Sequence, residues 1–357
     1  MDLKALQPLG WKPFFQQQIA LDAQSTIPLR VVEVHRSALR ALGADGPAVV
    51  EFPHHERWSE SVTVGDWVLA RRQGTQLYLA QVLERQNGIY RKAAGPEVGE
   101  QWISANLDSA FIVMGCDGNF NLSRLERYLA LVLDSQIEPV VVLTKADEND
   151  EAELLRDQVP QACVSFAVDA RDPQQTAVLL PYLGEGQSIT LMGSSGVGKS
   201  TLINTFLGEE RLVTRALREG DHRGRHTTTS RQLIQLPTGG IVIDTPGMRE
   251  LQLPGVEDGL EQLYGDIEAL AQQCRFRDCS HGHGSEAGCR VREALANGEL
   301  DMRRWENYCK MLREQAYHDR ELKSHHEIRA RRKSFSRGVR QVTRFKQNIR
   351  DTSFRKR

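Results

Sequence analysis

Between residues 100 and about 255, short apolar runs alternate with amphipathic stretches. SAFIVMG, PVVVLTK, QSITLMG and GGIVIDTPG read as buried strands. LSRLERYLALVLDSQ, lying between the first two, repeats its apolar residues at helical spacing and predicts an amphipathic helix. Strands that alternate with helices in this way predict an α/β domain with a largely parallel sheet.

Upstream the period changes. LRVVEVHRSALRAL, PAVVEFP, SVTVGDWVLARR and QLYLAQVLER are short β-rich runs separated by turn residues such as ADGP and RQGTQ. Several such strands in about 70 residues predict a small barrel, of the OB type. Trp58, Trp67 and Tyr78 can stack on bases if they face outward, whereas Trp67 also fits an aromatic barrel core. The first residues form an arm in which GWKPFFQQQIALDA predicts a short helix with Phe14, Phe15 and Ile19 on one side. After residue 258 the chain is mostly helical around a Cys/His cluster and ends in a basic tail. The divisions expected are 1–28, 29–98, 99–257, 258–325 and 326–357. There is no internal repeat.

At 357 residues the chain can hold two or three domains, and 40% apolar with 26% charged residues is the balance of a globular protein. No apolar run reaches 18 residues, so no membrane span is expected. The first residues lack a basic segment followed by an apolar one, so no secretory signal is expected and the cytoplasm follows by default. Nothing in the sequence demands more than a monomer. The net charge of −1 conceals an asymmetry: residues 320–357 carry 14 Lys/Arg against Glu321, Glu327 and Asp351, a net of +11, leaving −12 on the rest. A basic tail with Phe335, Phe345 and Phe354 interleaved points to a polyanionic partner such as RNA. The alternative is a solvated tail without structure.

Gly193-Ser194-Ser195-Gly196-Val197-Gly198-Lys199-Ser200 fits the phosphate-loop pattern in full, with a strand before it and a helix from Thr201 after it. The glycines let successive backbone N–H groups point at phosphate oxygens, and the helix N-terminus adds its dipole. Lys199 is expected to reach the β- and γ-phosphates and Ser200 to ligate Mg²⁺. Asp244-Thr-Pro-Gly247 ends a strand 45 residues after Lys199. Asp244 there completes the Mg²⁺ shell, and the Gly247 N–H senses the γ-phosphate. Between them GDHRGRHTTTS reads as a nucleotide-sensing loop in which Thr227 or Thr228 supplies the second Mg²⁺ hydroxyl. Met248 stands where Ras-like enzymes place a water-orienting Gln. His226 is the candidate for that catalytic role, against a reading in which it packs or contacts RNA.

Thr144-Lys145-Ala-Asp147 follows a buried strand and reads as the base reader: the Asp147 carboxylate can accept guanine N1–H and the exocyclic amine, and the Lys145 stem lies over the ring. Thr144 stands where such motifs carry Asn. Val168-Asp169-Ala170 is the candidate loop that backs the base. The order is base reader, backing loop, phosphate loop, sensing loop, Asp244–Gly247. That is the usual GTPase order cut and rejoined, a circular permutation. It joins the last nucleotide motif directly to the C-terminal module.

That module reads Cys274-x4-Cys279-x-His281-x-His283-x5-Cys289. Three thiolates and one imidazole satisfy tetrahedral Zn²⁺, which the absence of an open position marks as structural. Either His281 or His283 can be the fourth ligand. Trp305, Tyr308, Cys309 and Leu312 are expected on one helical face, with Cys309 packing rather than ligating.

Taken together, the chain resembles the circularly permuted, ribosome small-subunit-dependent GTPases of the RsgA/YjeQ type. The resemblance covers nearly the whole chain and rests on VGDWV, NLDSAFIV, NLSRLERYL, GRHTTT, DTPG, the CRFRDCSH…GCRV cluster and the permuted order. It implies an OB-fold, a permuted GTPase domain and a zinc domain, and hydrolysis of GTP to GDP stimulated by the small ribosomal subunit during late maturation, with its rRNA as partner. Three departures mark a divergent member or paralogue: Thr144, the backing loop, and two extra residues that split the family's histidine spacing between His281 and His283; against that pattern the intact Cys279-x-His281 spacing favours His281. Two other function classes stay open. One is a zinc and OB-fold RNA-binding module with a regulatory nucleotide site. The other is a P-loop ATPase or small-molecule kinase, against which Asp147 argues.

Overall fold

A computed structural model describes residues 3–19, 26–53, 58–92, 100–160, 163–212, 231–244, 256–281 and 288–317. Strands β1 (Thr26–Val34), β2 (Ala38–Gly43), β3 (Gly46–Glu51), β4 (Trp67–Gln73) and β5 (Gln76–Val82) close into a barrel in the order β1-β2-β3-β5-β4. Every pairing is antiparallel except β3 with β5, the arrangement of a five-stranded Greek-key OB barrel. Alternation along each strand fills the interior with Leu29, Val31, Leu39, Ala41, Val50, Val68, Ala70 and Leu79.

The opposite face of β4 carries Trp67 and Leu69, and these are covered by the arm through Leu6, Leu9, Trp11 and Phe15. Trp67 is therefore fully buried, yet outside the barrel interior, with its ring 4.6 Å from Trp11 in edge contact. It has no face left for a base. Trp58, on the one-turn helix α2 (Trp58–Ser61), is half-buried against the barrel core. Tyr78 donates its hydroxyl to Gln76. The arm's own turn, α1 (Pro13–Gln16), buries Phe15 and leaves Phe14 exposed, so the expected shared face of the two does not form. One turn is too short to align them.

Arm, barrel and α/β domain meet at Arg30. Its guanidinium is fully buried and donates to the Leu9 carbonyl at 2.5 Å, the Ser188 hydroxyl at 2.8 Å and the Asn106 carbonyl at 3.0 Å. Burial lowers its pKa to about 10, against the pull of Asp108 and Asp66. β6 (Gly88–Lys92) and β7 (Glu100–Ala105) form a separate two-stranded ribbon that leads into the α/β domain.

The central sheet has the order β10-β9-β8-β11-β13-β12, from β8 (Ser109–Gly115), β9 (Glu138–Thr144), β10 (Val164–Ala167), β11 (Ser188–Met192), β12 (Gln232–Gln235) and β13 (Ile241–Asp244). Five strands are parallel and the edge strand β12 is antiparallel. β8 and β11 are buried along their whole length, which explains their unbroken apolar runs. Helix α3 (Leu122–Asp134) starts at Asn121, whose side chain accepts the Arg124 amide. Helices α4 (Ala152–Arg156), α5 (Pro173–Thr176) and α6 (Lys199–Leu207) complete the domain.

In the C-terminal region α7 (Glu257–Gln272) packs beside α3, α8 (Arg290–Ala296) packs on α7, and α9 (302–317) is bonded to α3. Glu126 of α3 is buried there and accepts from Tyr264, Asn307 and both terminal nitrogens of Arg303. A bidentate pair joins Arg127 to Glu314. On α9 the residues fully covered include Asn307, Tyr308 and Met311, while Leu312 is exposed, so the inward face is rotated from the expected Trp305–Leu312 stripe. The buried polar network draws Asn307 inward, a requirement that apolar periodicity does not register. Cys309 is half-buried and free.

α7 approaches α3 so closely that a Cβ on Gly259 would lie 1.9 Å from the Ala130 carbonyl oxygen. Gly259→Ala should therefore lower stability by about 1–3 kcal/mol in thermal or urea denaturation. Gly265→Ala on the same helix meets open space and should leave stability unchanged or raise it.

Candidate functional site

The site is built at the carboxyl ends of the parallel strands, where such sheets place ligands. β11 leads into the phosphate loop. Gly193, Gly196 and Gly198 hold φ values of 145°, 81° and 92°, which only glycine adopts freely. A Cβ on Gly193 would sit 2.2 Å from the Val113 carbonyl oxygen of β8, so the loop needs this glycine for space as well. Val197 is buried and pins the loop's centre, and Ser195 faces solvent. Lys199 donates to the carbonyls of Gly193 (2.8 Å) and Ser194 (2.6 Å), folding its ammonium over the loop. Ser200 and Thr201 lie in the first turn of α6 and are half-buried. Asp244 ends β13, the strand paired with β11, so its carboxylate belongs to the same end of the sheet.

The base reader ends β9, one strand beyond β8. Thr144 is fully buried, and its Oγ1 lies 2.6 Å from the Val197 carbonyl and 3.2 Å from that of Met114. The hydroxyl at this position thus braces the phosphate loop against the base-reading strand. Both acceptors are main chain, so the loop contact survives the replacement of Asn. Lys145 adopts a left-handed conformation at φ 58° and reaches Asp117 at 2.5 Å. Burial raises the Asp117 pKa, but hydrogen bonds and charge from Lys145, with Asn119, bring the net value below the ordinary range.

Asp147 lies in the turn Ala146–Glu148 and accepts from Arg171 at 2.6 Å. The backing loop is bonded to its neighbours: Ala146 N–H to Val168 O at 3.4 Å, and the Thr205 hydroxyl of α6 to Ala170 O at 2.6 Å. Arg171 links Asp169 of this loop to Asp147.

Two participants escaped the sequence reading. Asp117 positions Lys145, and Arg171 holds Asp147. Asp117 carried a usable signal, an acidic residue just past a buried strand end. His226, Thr227, Thr228, Gly247, His283 and the basic tail lie outside the described residues.

Cys274, Cys279, His281 and Cys289 converge with their ligand atoms all within 4.8 Å of one another. Cys274 Sγ is 3.7 Å from His281 Nδ1 and 4.0 Å from Cys289 Sγ, and His281 Nδ1 is 3.5 Å from Cys289 Sγ. A tetrahedron with typical Zn–S and Zn–N bonds has edges of about 3.5–3.8 Å. The donor set and its size fit one such ion. Burial raises the Cys274 thiol, but the amides of Val291 and Arg290 at the start of α8 outweigh it and favour the thiolate. His281 holds a left-handed φ of 52° and lies edge-on to Trp305 at 5.7 Å. Its ring nitrogen reaches the cysteines, and His283 lies outside the described residues.

A phosphate loop on β11 and a base reader on β9, flanking β8, define a P-loop GTPase domain. Its strands occur in permuted chain order, behind an OB barrel and ahead of a Cys₃His cluster. The RsgA GTPase family model matches residues 82–254. A Vibrio vulnificus protein named small ribosomal subunit biogenesis GTPase RsgA 2 is 46% identical over 97% of both chains. The RsgA of Xanthomonas euvesicatoria pv. vesicatoria is 46% identical over 87% of this chain and 88% of its own. The crystal structure of YjeQ from Thermotoga maritima superposes with a TM-score of 0.58 at 27% identity, over 81% of this chain and 98% of that one. YloQ, described as a circularly permuted GTPase, shares the fold at a TM-score of 0.54 and 22% identity, over 83% and 97% of the two chains. The chain belongs to the RsgA GTPase family.

Thr144→Val removes the hydroxyl and leaves the Val197 carbonyl without its donor in a buried place. GDP affinity, read by displacement of a fluorescent analogue, should fall by about tenfold, while Thr144→Ser stays within about twofold of the parent.

Proposed function

We propose that this protein hydrolyses GTP to GDP and phosphate on the small ribosomal subunit, as a switch in the late maturation of that subunit. The observation that carries the reading is 46% identity over 97% of the chain to a protein named for that role, joined to a site with both a phosphate loop and a guanine-type carboxylate. The small-subunit rRNA is the polyanion that the basic tail and the OB barrel would meet.

In this reading the backbone amides of Gly193–Gly198 cradle the phosphates, and Lys199 leaves the loop carbonyls for the β- and γ-phosphates. Ser200, Asp244 and one of Thr227 or Thr228 would hold Mg²⁺. The ion supplies positive charge that offsets developing charge on the phosphate oxygens. Gly247 senses the γ-phosphate, and Asp147, Lys145 and Ala170 hold the guanine. His226 orients the attacking water once the subunit orders its loop. Hydrolysis without the subunit should be slow, since donated catalytic groups are worth about 10³–10⁵ in rate. Cys274, Cys279, His281 and Cys289 hold one structural Zn²⁺, which ties α7 to α8.

Turnover of GTP and ATP should be compared with and without purified small subunits. Strong stimulation confined to GTP is expected; stimulation absent for both nucleotides would sink the switch. His226→Ala should abolish the stimulated rate while leaving GTP affinity unchanged, and an unaltered stimulated rate would remove His226 from the mechanism. Elemental analysis should find one zinc per chain, lost in Cys279→Ser.

A further inference from the structure

The backing loop brings a second carboxylate to the base reader. Asp169 is mostly covered, and Arg171 lies between it and Asp147. Arg171 Nε is 3.1 Å from Asp169 Oδ1, its terminal nitrogen is 2.6 Å from Asp147 Oδ2, and its own amide also donates to Asp169 Oδ1 at 2.9 Å. Glu148 adds a weaker contact at 3.9 Å. One guanidinium therefore joins two acidic side chains from two different strand ends. Arginine suits this because its planar fork presents several donors in fixed directions.

From this geometry we infer that Arg171 is the positioning residue that sets Asp147 for guanine, and that it is needed because Asp169 stands beside the base reader. The inference rests on the reading of Asp147 as the guanine carboxylate. Two neighbouring carboxylates repel, and without a cation between them Asp147 would swing away from Asp169. Bridged, it is fixed through Oδ2.

The bridge is compatible with bound base. A carboxylate offers about four lone-pair directions, and Arg171 with guanine N1–H and the exocyclic amine makes three donors. Arg171 therefore stays in place when the base arrives. The amide of Ala170 makes no hydrogen bond among the described residues, which leaves a donor for guanine O6 on the same loop. Arg171 thus acts through Asp147 and touches neither phosphate nor reacting atoms. The bridge is mostly exposed, so its effect is expected in the range of surface ion pairs rather than of buried ones.

The test uses the full chain and nucleotide affinities for GDP and for IDP, which lacks the exocyclic amine. Arg171→Ala should weaken GDP by about fivefold and IDP by less, so that discrimination between the two narrows. Arg171→Lys, which keeps the charge without the fork, should fall between. In Asp169→Ser/Arg171→Ala the repulsion is gone and the serine hydroxyl can donate to Asp147, so GDP affinity should return to within about twofold of the parent. Unchanged GDP:IDP discrimination in Arg171→Ala, or a double variant no better than the single one, would overturn the inference. Asp147→Asn separates this from the underlying reading. It should transfer preference from GDP to XDP, and retained GDP preference would mean that Asp147 does not read the base at all.

Discussion

A guanine nucleotide has to be gripped at both ends, and the grip depends on β11, β8 and β9 lying side by side and parallel. Parallel pairing delivers the loops after β11 and β9 to the same edge of the sheet, with only β8 between them. The Thr144 hydroxyl then ties the two loops together by bonding the Val197 carbonyl. Phosphate and base contacts become parts of one object, because a shift of either loop strains that buried bond. Gly193 is a consequence of the same adjacency, since the loop passes directly over the Val113 carbonyl.

The permutation alters what the nucleotide site is attached to while leaving the sheet order intact. Reading from β11, the strands appear as β11, β12, β13, β8, β9 and β10, and the spatial order is that of an unbroken P-loop domain. The new connection follows β13. Asp244 ends that strand and α7 begins at Glu257, already against α3. α3 in turn holds the C-terminal helices through the buried Glu126. The C-terminal module is therefore joined to the α/β domain both along the chain and through packing. Removing one partner of a buried charge such as Glu126 costs about 3–5 kcal/mol, so this docking is not easily loosened.

Most of the site could be read before the fold was known, because its parts are local. Gly193–Ser200, Asp244 and Thr144–Asp147 are short segments whose spacing already carries their chemistry. The cysteine spacing behaves likewise, and the structure adds that the His281 ring nitrogen reaches the cysteines. What escaped was nonlocal. Arg171 and Asp117 are ordinary charged residues in sequence, and their roles come from which strand ends they share. Trp67 was expected in a core, yet its cover is the arm, some fifty residues upstream.

The sequence by itself determined the α/β and barrel classes, the permuted order and the ligand types. Periodicity, glycine placement and donor spacing are properties of short segments and act before any tertiary contact forms. Only the tertiary structure decided how those segments share their neighbours. It made Thr144 a brace and left Asp147 to an arginine, turned α9 toward Glu126, and placed Arg30 where arm, barrel and sheet meet. The Thr144, α9 and Arg30 contacts each depend on a buried polar group finding its partner across 53 to 181 residues of chain, and the exposed Asp147–Arg171 pair spans 24. Desolvation makes such partners obligatory, and no local pattern announces them.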